Sequence, residues 1–143
     1  MNFLKKQSVG FYFSVIVVIL SLVGMAMYLK NSATAYFSNL GKDPVILACL
    51  IVAVIAELLF MILSQKGMKS WMDILPVAVS VLLMLGAVLF ASSRVNGIAS
   101  IMTFENNAQT MADLSSAVTG IGFCLAAGIV SIVASFFDIT KEA

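Results

Sequence analysis

Apolar residues fall into four long runs along this chain of 143 residues, and short polar segments separate the runs. The runs cover about residues 9–29, 44–64, 74–93 and 115–137. Each holds about twenty residues, and at ~1.5 Å per residue such a helix matches the ~30 Å hydrocarbon core of a bilayer. The pattern predicts an all-α protein: an integral membrane bundle of four transmembrane helices, forming one domain over residues 1–143.

The first run also has the composition of a signal peptide, because Lys5 and Lys6 precede it and Ala33-Thr34-Ala35 follows it. Its length argues otherwise, since the apolar part of a signal peptide has about 7–15 residues. We therefore expect a first transmembrane helix that is retained. The second helix is expected to begin at Asp43-Pro44, with Asp as the N-cap and Pro in the first helical position.

The longest predicted connection is the loop over residues 95–114. Asn96-Gly97 and Asn106-Asn107 are turn signals. Ile98, Ile101 and Met102 recur between them at helical spacing, which indicates either a short helix on the membrane surface or a plain loop. Thr110 and Asp113 resemble a capping box, which favours an early start of the fourth helix.

The distribution of basic residues predicts the orientation. Cytoplasmic loops of membrane proteins carry an excess of Lys and Arg. One side of the predicted bundle has five such residues and the other side has three: Lys5, Lys6, Lys66, Lys69 and Lys141 against Lys30, Lys42 and Arg94. We therefore expect both termini in the cytoplasm, and a bacterial-type plasma membrane as the location.

Glu57 is the one charged residue of the second run. An ionised, unpaired carboxylate within a membrane costs several kcal/mol, so its side chain is expected to face protein or water. At helical rise, one serine in each other run lies at the depth of Glu57, which predicts an intramembrane polar layer of Ser14, Glu57, Ser80 and Ser131. At this depth each hydroxyl could donate a hydrogen bond to the carboxylate. The layer is either a protonatable site on an ion path or a structural layer that fixes helix register.

Small residues recur along one face of the fourth run, where they let helix backbones approach closely. The predicted helix-packing face is Gly120, Cys124, Ala127, Gly128, Ser131 and Ser135. We expect it to pack within the bundle; the alternative is a seam between two copies.

Composition excludes several classes of function. The net charge of +1 gives no basic surface for nucleic acid, and the absence of histidine removes the commonest metal ligand and catalytic base. Arg94, Glu105 and Asp113 are expected to be solvated or ion-paired. We therefore predict no metal, no cofactor and no enzymatic activity.

The four-helix outline resembles the tetraspan arrangement, but the Cys-Cys-Gly signature of tetraspanins and the Trp-Gly-Leu-Trp pattern of claudins are absent. Small multidrug transporters also have four helices and a membrane glutamate, which they carry in the first helix rather than the second. Two functions remain. The favoured one is an accessory or structural subunit that packs with itself or with other membrane protein subunits in the lipid bilayer. The alternative is a small oligomeric transporter or channel that uses Glu57.

Overall fold

A computed structural model describes residue 5, residues 7–67 and residues 69–138; Lys6 and Lys141 of the orientation count lie outside the described residues. The fold is all-helical, and the described residues contain four helices long and apolar enough to span a membrane, as predicted. They are α1 Val9–Ser32, α2 Pro44–Ser64, α3 Ile74–Thr103 and α4 Ala108–Ala134. Single 3₁₀ turns at Ser38–Leu40 and Ser70–Asp73 lie in the connections.

The start of α2 is set by the predicted cap. The Asp43 side chain accepts a hydrogen bond from the backbone N–H of Val45 at 2.8 Å, and Pro44 occupies the first turn, where its missing N–H costs nothing. The prediction for this boundary is confirmed.

The prediction of a loop over residues 95–114 is wrong. Its apolar residues form neither a separate surface helix nor a plain loop, because they belong to α3. The helix α3 runs on to Thr103 and α4 begins at Ala108, so the connection is four residues long. A capping box starts α4: Asn107 Oδ1 accepts from the N–H of Thr110, and Thr110 Oγ1 accepts from the N–H of Asn107.

Gly97 explains why the turn signal misled. A Cβ on this residue would lie 2.7 Å from Cε1 of Phe37, so the glycine lets the α1–α2 connection pack directly on α3. Phe37 is buried there with Ile101 and Ala117 in a small apolar cluster. Tertiary packing therefore keeps Asn96-Gly97 helical.

The four helices form a ring in which each packs on its neighbours, and α1 makes its most extensive contact with α4. These two helices are antiparallel: the N–H of Gly10 donates to the carbonyl of Asp138, and Gly24 faces Cys124. We call the end of the bundle that contains Ser32, Pro44 and Arg94 the Arg94 end, and the opposite end the Gln65 end.

The bundle interior is filled with apolar side chains from all four helices. The main cluster of buried residues comprises Val17, Tyr28, Ile46, Leu50, Ala53, Val79, Leu83, Ala87, Phe90, Cys124 and Ala127. Many large apolar side chains also lie on the outside of all four helices. Apolar residues on both the inside and the outside are typical of a bundle that lipid surrounds.

At the Gln65 end, two amides join α1 and α2. Gln7 Nε2 donates to Gln65 Oε1, and Gln65 Nε2 donates to Gln7 Oε1, both at 3.0 Å. This reciprocal pair satisfies two amide groups next to an apolar core.

Candidate functional site

Glu57 is buried on α2, on the face that also carries Cys49 and Ala53. The hydroxyl of Ser14 on α1 forms a hydrogen bond with its carboxyl group. Helical spacing therefore places the carboxyl inside the bundle, where a hydroxyl rather than a basic residue contacts it.

Ser80 and Ser131 form a second pair, between α3 and α4. Their hydroxyl oxygens are 2.8 Å apart, and Ser80 also donates to the carbonyl of Pro76 at 3.0 Å. Because a serine has one hydroxyl proton, Ser131 is then the donor to Ser80.

The predicted polar layer is thus two separate pairs. Ser14 contacts Glu57, whereas Ser80 and Ser131 hydrogen-bond to each other and not to the carboxyl group, among the described residues. Not every hydroxyl reaches Glu57, because equal depth does not fix the direction in which a side chain points around its helix.

Five residues of the predicted packing face are buried, namely Gly120, Cys124, Ala127, Gly128 and Ser131. The sixth, Ser135, is exposed, because α4 ends at Ala134 and the Ser135 hydroxyl donates to the carbonyl of Ile132. A Cβ on Gly128 would lie 2.5 Å from Sδ of Met84, and one on Gly120 would lie 2.8 Å from Cε1 of Phe90. The face contacts α1 and α3 of the same chain.

Arg94 is the main feature that sequence reasoning missed. The expected solvated residue is only 1% exposed. Its Nε donates to Asn31 Oδ1 at 2.7 Å and its Nη2 donates to Ser32 Oγ at 2.9 Å, both on α1, while Nη1 lies 3.4 Å from Ser93 Oγ. No carboxylate lies within ion-pair distance of this guanidinium in the described part of the chain.

Three aromatic rings surround the guanidinium. Its carbon lies 5.5 Å from the ring centre of Tyr28, 5.3 Å from that of Phe37 and 5.8 Å from that of Phe90. Ring faces attract a cation at this range, and the attraction strengthens when water is excluded. Aromatic rings, one amide oxygen and serine hydroxyl oxygens thus stabilise a charge that has no acidic partner among the described residues.

Asn31 connects Arg94 to α4. Its Nδ2 donates to the carbonyl of Asp113 at 3.2 Å and to Ser116 Oγ at 2.9 Å. The carboxylate of Asp113, also expected to be solvated or ion-paired, is buried. It accepts from the N–H of Tyr36 and from Gln109 Nε2, both at 3.0 Å.

We call Tyr28, Asn31, Ser32, Phe37, Phe90, Arg94 and Asp113 the Arg94 cluster. It joins α1, α3, α4 and the α1–α2 connection at one end of the bundle. A signal for it was present in the sequence: Phe90, Arg94 and Ile101 continue the buried spacing of Leu83 and Ala87. The spacing becomes apparent only when α3 is extended past residue 93, because Arg94 and Ile101 belong to the same buried face.

Neither region offers a constellation for covalent chemistry or metal binding. Both cysteines are free and buried, and in the described residues no group of three or more Cys, Asp or Glu side chains is placed to hold a metal ion. Glu57 can exchange a proton, whereas Arg94 carries a fixed charge.

Comparisons with known protein families, with curated proteins and with solved structures find no match to this chain. Its function is therefore inferred from its own residues.

Proposed function

We propose that this protein is a non-enzymatic accessory or structural subunit of a membrane assembly, with both termini in the cytoplasm of a bacterial-type cell. The five-to-three distribution of basic residues supports this orientation, and it is five to two when the buried Arg94 is set aside. In this orientation the Arg94 end faces outward.

The observation that carries the proposal is the extension of α3 and α4 beyond the Arg94 cluster. Nine residues of α3 follow Arg94, which corresponds to about 13 Å of helix. The end of α3 and the start of α4 form a hairpin beyond the ends of α1 and α2. It exposes four large apolar side chains: Val95, Met102, Phe104 and Met111. Large exposed apolar side chains beyond the ends of the neighbouring helices support a surface for another protein.

The Arg94 cluster makes the hairpin a rigid extension rather than a mobile loop. Asn31 and Arg94 tie its two helices to α1, and Phe37 fills the space between them from the α1–α2 connection. A partner that binds such a surface does not have to order it first, which lowers the cost of association.

The test is the mass of the assembly after gentle extraction in polymer-bounded discs of native lipid. We expect a homo-oligomer, or a complex with another membrane protein at fixed stoichiometry, by native mass spectrometry. A single 15.2 kDa chain without such a partner would contradict the proposal.

A matched pair of variants locates the surface. Phe104 at the hairpin tip is 88% exposed, and Phe136 near the Gln65 end is 81% exposed. Phe104→Ser should reduce the assembled fraction, and Phe136→Ser should leave it unchanged. Equal effects of the two substitutions would mean that the hairpin has no special role.

A second candidate function is proton- or cation-coupled transport, which the buried carboxyl of Glu57 supports. An intramembrane carboxyl group without a basic partner is typical of such proteins. The filled interior of one bundle leaves little room for an aqueous path, so transport would need several copies.

A further inference from the structure

One face of α3 is apolar except for Ser92, and eight of its nine positions are exposed. Its residues recur at alternating spacings of four and three from the first residue of the helix to the next-to-last. The stripe, which we call the α3 stripe, consists of Ile74, Ala78, Val81, Leu85, Val88, Ser92, Val95, Ala99 and Met102. This spacing is that of the contact positions in left-handed helix pairs.

The stripe is longer than the hydrocarbon core that an upright helix crosses. From Ile74 to Met102 it is about 42 Å long, whereas the hydrocarbon core is ~30 Å thick. Val95, Ala99 and Met102 lie past Arg94, on the hairpin that extends beyond α1 and α2. With Ile74 at the inner boundary of an upright bundle, this outer third of the stripe lies past the hydrocarbon core.

The charge distribution favours a second copy of this chain as the occupant. Arg94 is the only charged residue in α3, and its guanidinium points into the bundle. Two copies of α3 can therefore lie side by side, in parallel, without bringing like charges together.

Ser92 supplies an independent observation at the centre of the outer half of the stripe. Its neighbour Ser93 donates to the carbonyl of Phe90, and Ser80 donates to that of Pro76. The exposed hydroxyl of Ser92 forms no hydrogen bond with the described residues. In a parallel pair it meets its own counterpart, and one polar residue at such a position fixes the register.

A groove of about 600 Å³ lies between α3 and α4 directly beside the stripe, with Met84 and Ile132 among its lining residues. Val81, Leu85 and Val88 of the α3 stripe are also among its lining residues. A twofold axis between two α3 stripes brings the groove of each copy next to the other copy.

We propose that two copies of this chain associate in parallel through the α3 stripe, with Ser92 at the register-setting position. This inference rests on the proposed function and names the partner. Nine largely exposed residues remove on the order of 1,000 Å² from the two chains together, about the lower limit for a specific interface.

Disulfide cross-linking in native membranes tests the proposal on the full chain. Val95 on the stripe is 56% exposed, and Val118 on the outside of α4 is 52% exposed, so they are a matched pair. Cys49 and Cys124 stay in place because both are buried. With a mild oxidant, Val95→Cys should give at least tenfold more product at twice 15.2 kDa than Val118→Cys. Val88→Cys and Met102→Cys should do the same.

Other outcomes overturn the proposal. Equal yields from Val95→Cys and Val118→Cys would indicate random collision, and a yield from Val118→Cys alone would place the seam on α4. A Val95→Cys product of another mass would show that the α3 stripe contacts a different protein. That result would contradict the pairing of two copies but leave the proposed function intact. No product from any variant, together with a single chain in native lipid discs, would contradict both the parallel pairing and the proposed subunit function.

Discussion

The Nε of Arg94 donates to Asn31 Oδ1 at 2.7 Å and so joins α3 to α1 across 63 positions of sequence. Asn31 also binds α4, because its Nδ2 donates to the backbone carbonyl of Asp113. The charged residue is thus held by neutral groups at one end of the bundle. A guanidinium suits this place because it is planar, donates in several directions at once and stacks on rings.

Replacement of Arg94 by lysine tests this geometry. Arg94→Lys keeps the charge, but one ammonium group cannot reproduce the guanidinium's simultaneous contacts with Asn31, Ser32 and three rings. We expect a loss of roughly 1–3 kcal/mol in the free energy of unfolding in mixed micelles. The reciprocal exchange at the same end, Lys30→Arg, concerns an exposed residue and should change that free energy by less than about 0.5 kcal/mol. Equal stability of Arg94→Lys and the native protein would show that the guanidinium geometry is not used.

The helices and the Arg94 cluster differ in how far the sequence predicts them. Apolar runs of membrane length are a local property, so four helices and the start of α2 at Asp43-Pro44 could be predicted. Whether Asn96-Gly97 forms a turn or stays helical depends on packing against Phe37, which lies about 60 residues away in the sequence. Local turn preference is weaker than that packing. Arg94 was misjudged for the same reason: its burial depends on Asn31, Ser32 and Phe37.

Depth and direction also differ in how well they can be predicted. Counting residues from the helix ends predicts one level for Ser14, Glu57, Ser80 and Ser131, since helical rise is constant. Which hydroxyl meets the carboxyl depends on the rotation of each helix about its axis. Side-chain packing sets that rotation, and the levels alone do not reveal it.

A substitution at Gly24 tests the close contact of α1 with α4. A Cβ there would lie 2.8 Å from Sγ and 3.3 Å from the backbone N of Cys124, so the helices must separate to admit it. We expect Gly24→Ala to lower the free energy of unfolding by roughly 1–3 kcal/mol.

Gly122 is the matched control for Gly24, because a Cβ at this position of α4 has no neighbour within 4 Å. Gly122→Ala should leave stability unchanged or raise it by up to about 1 kcal/mol, since alanine restricts the unfolded chain. Both variants can be compared by thermal unfolding in one detergent. Similar losses for the two would mean that helix separation is not the cause.

Tyr36 gives a prediction of pH dependence outside the membrane-spanning helices. Its hydrogen bond with Glu105 raises the pKa of the phenol above the ordinary value of 10.0, and desolvation adds to the rise, while Ser100 opposes it. A raised pKa means that the folded protein holds this proton more tightly than the unfolded chain. The resulting stabilisation is present below pH 10 and is lost as the pH rises through the folded-state pKa.

Ultraviolet titration of the tyrosinate band measures this pKa, and Tyr36→Phe assigns the signal among the three tyrosines of the chain. Glu105→Gln should lower the pKa of Tyr36 towards 10, because it removes both the charge and the carboxylate acceptor. A titration that Glu105→Gln leaves unchanged would contradict the hydrogen bond as its cause.

The last prediction separates the two candidate functions at Glu57. Glutamine has the shape of glutamate and keeps an oxygen that accepts a hydrogen bond from the Ser14 hydroxyl. It cannot release a proton or carry a charge. If Glu57 only helps α1 pack on α2, Glu57→Gln should give a folded, stable protein that assembles as the native protein does. If Glu57 carries a proton or a cation, the same variant should fold and yet transport nothing.

Both forms can be reconstituted in liposomes, and flux can be driven by a pH gradient or a membrane potential. Because the subunit function is favoured, we expect no flux from the native protein above that of empty liposomes. Flux that Glu57→Gln abolishes, and that the control Glu105→Gln near the hairpin tip retains, would overturn this expectation and establish transport. Flux that survives Glu57→Gln would keep transport but remove Glu57 from its mechanism, since no other charged residue lies in α2 to replace the carboxyl group.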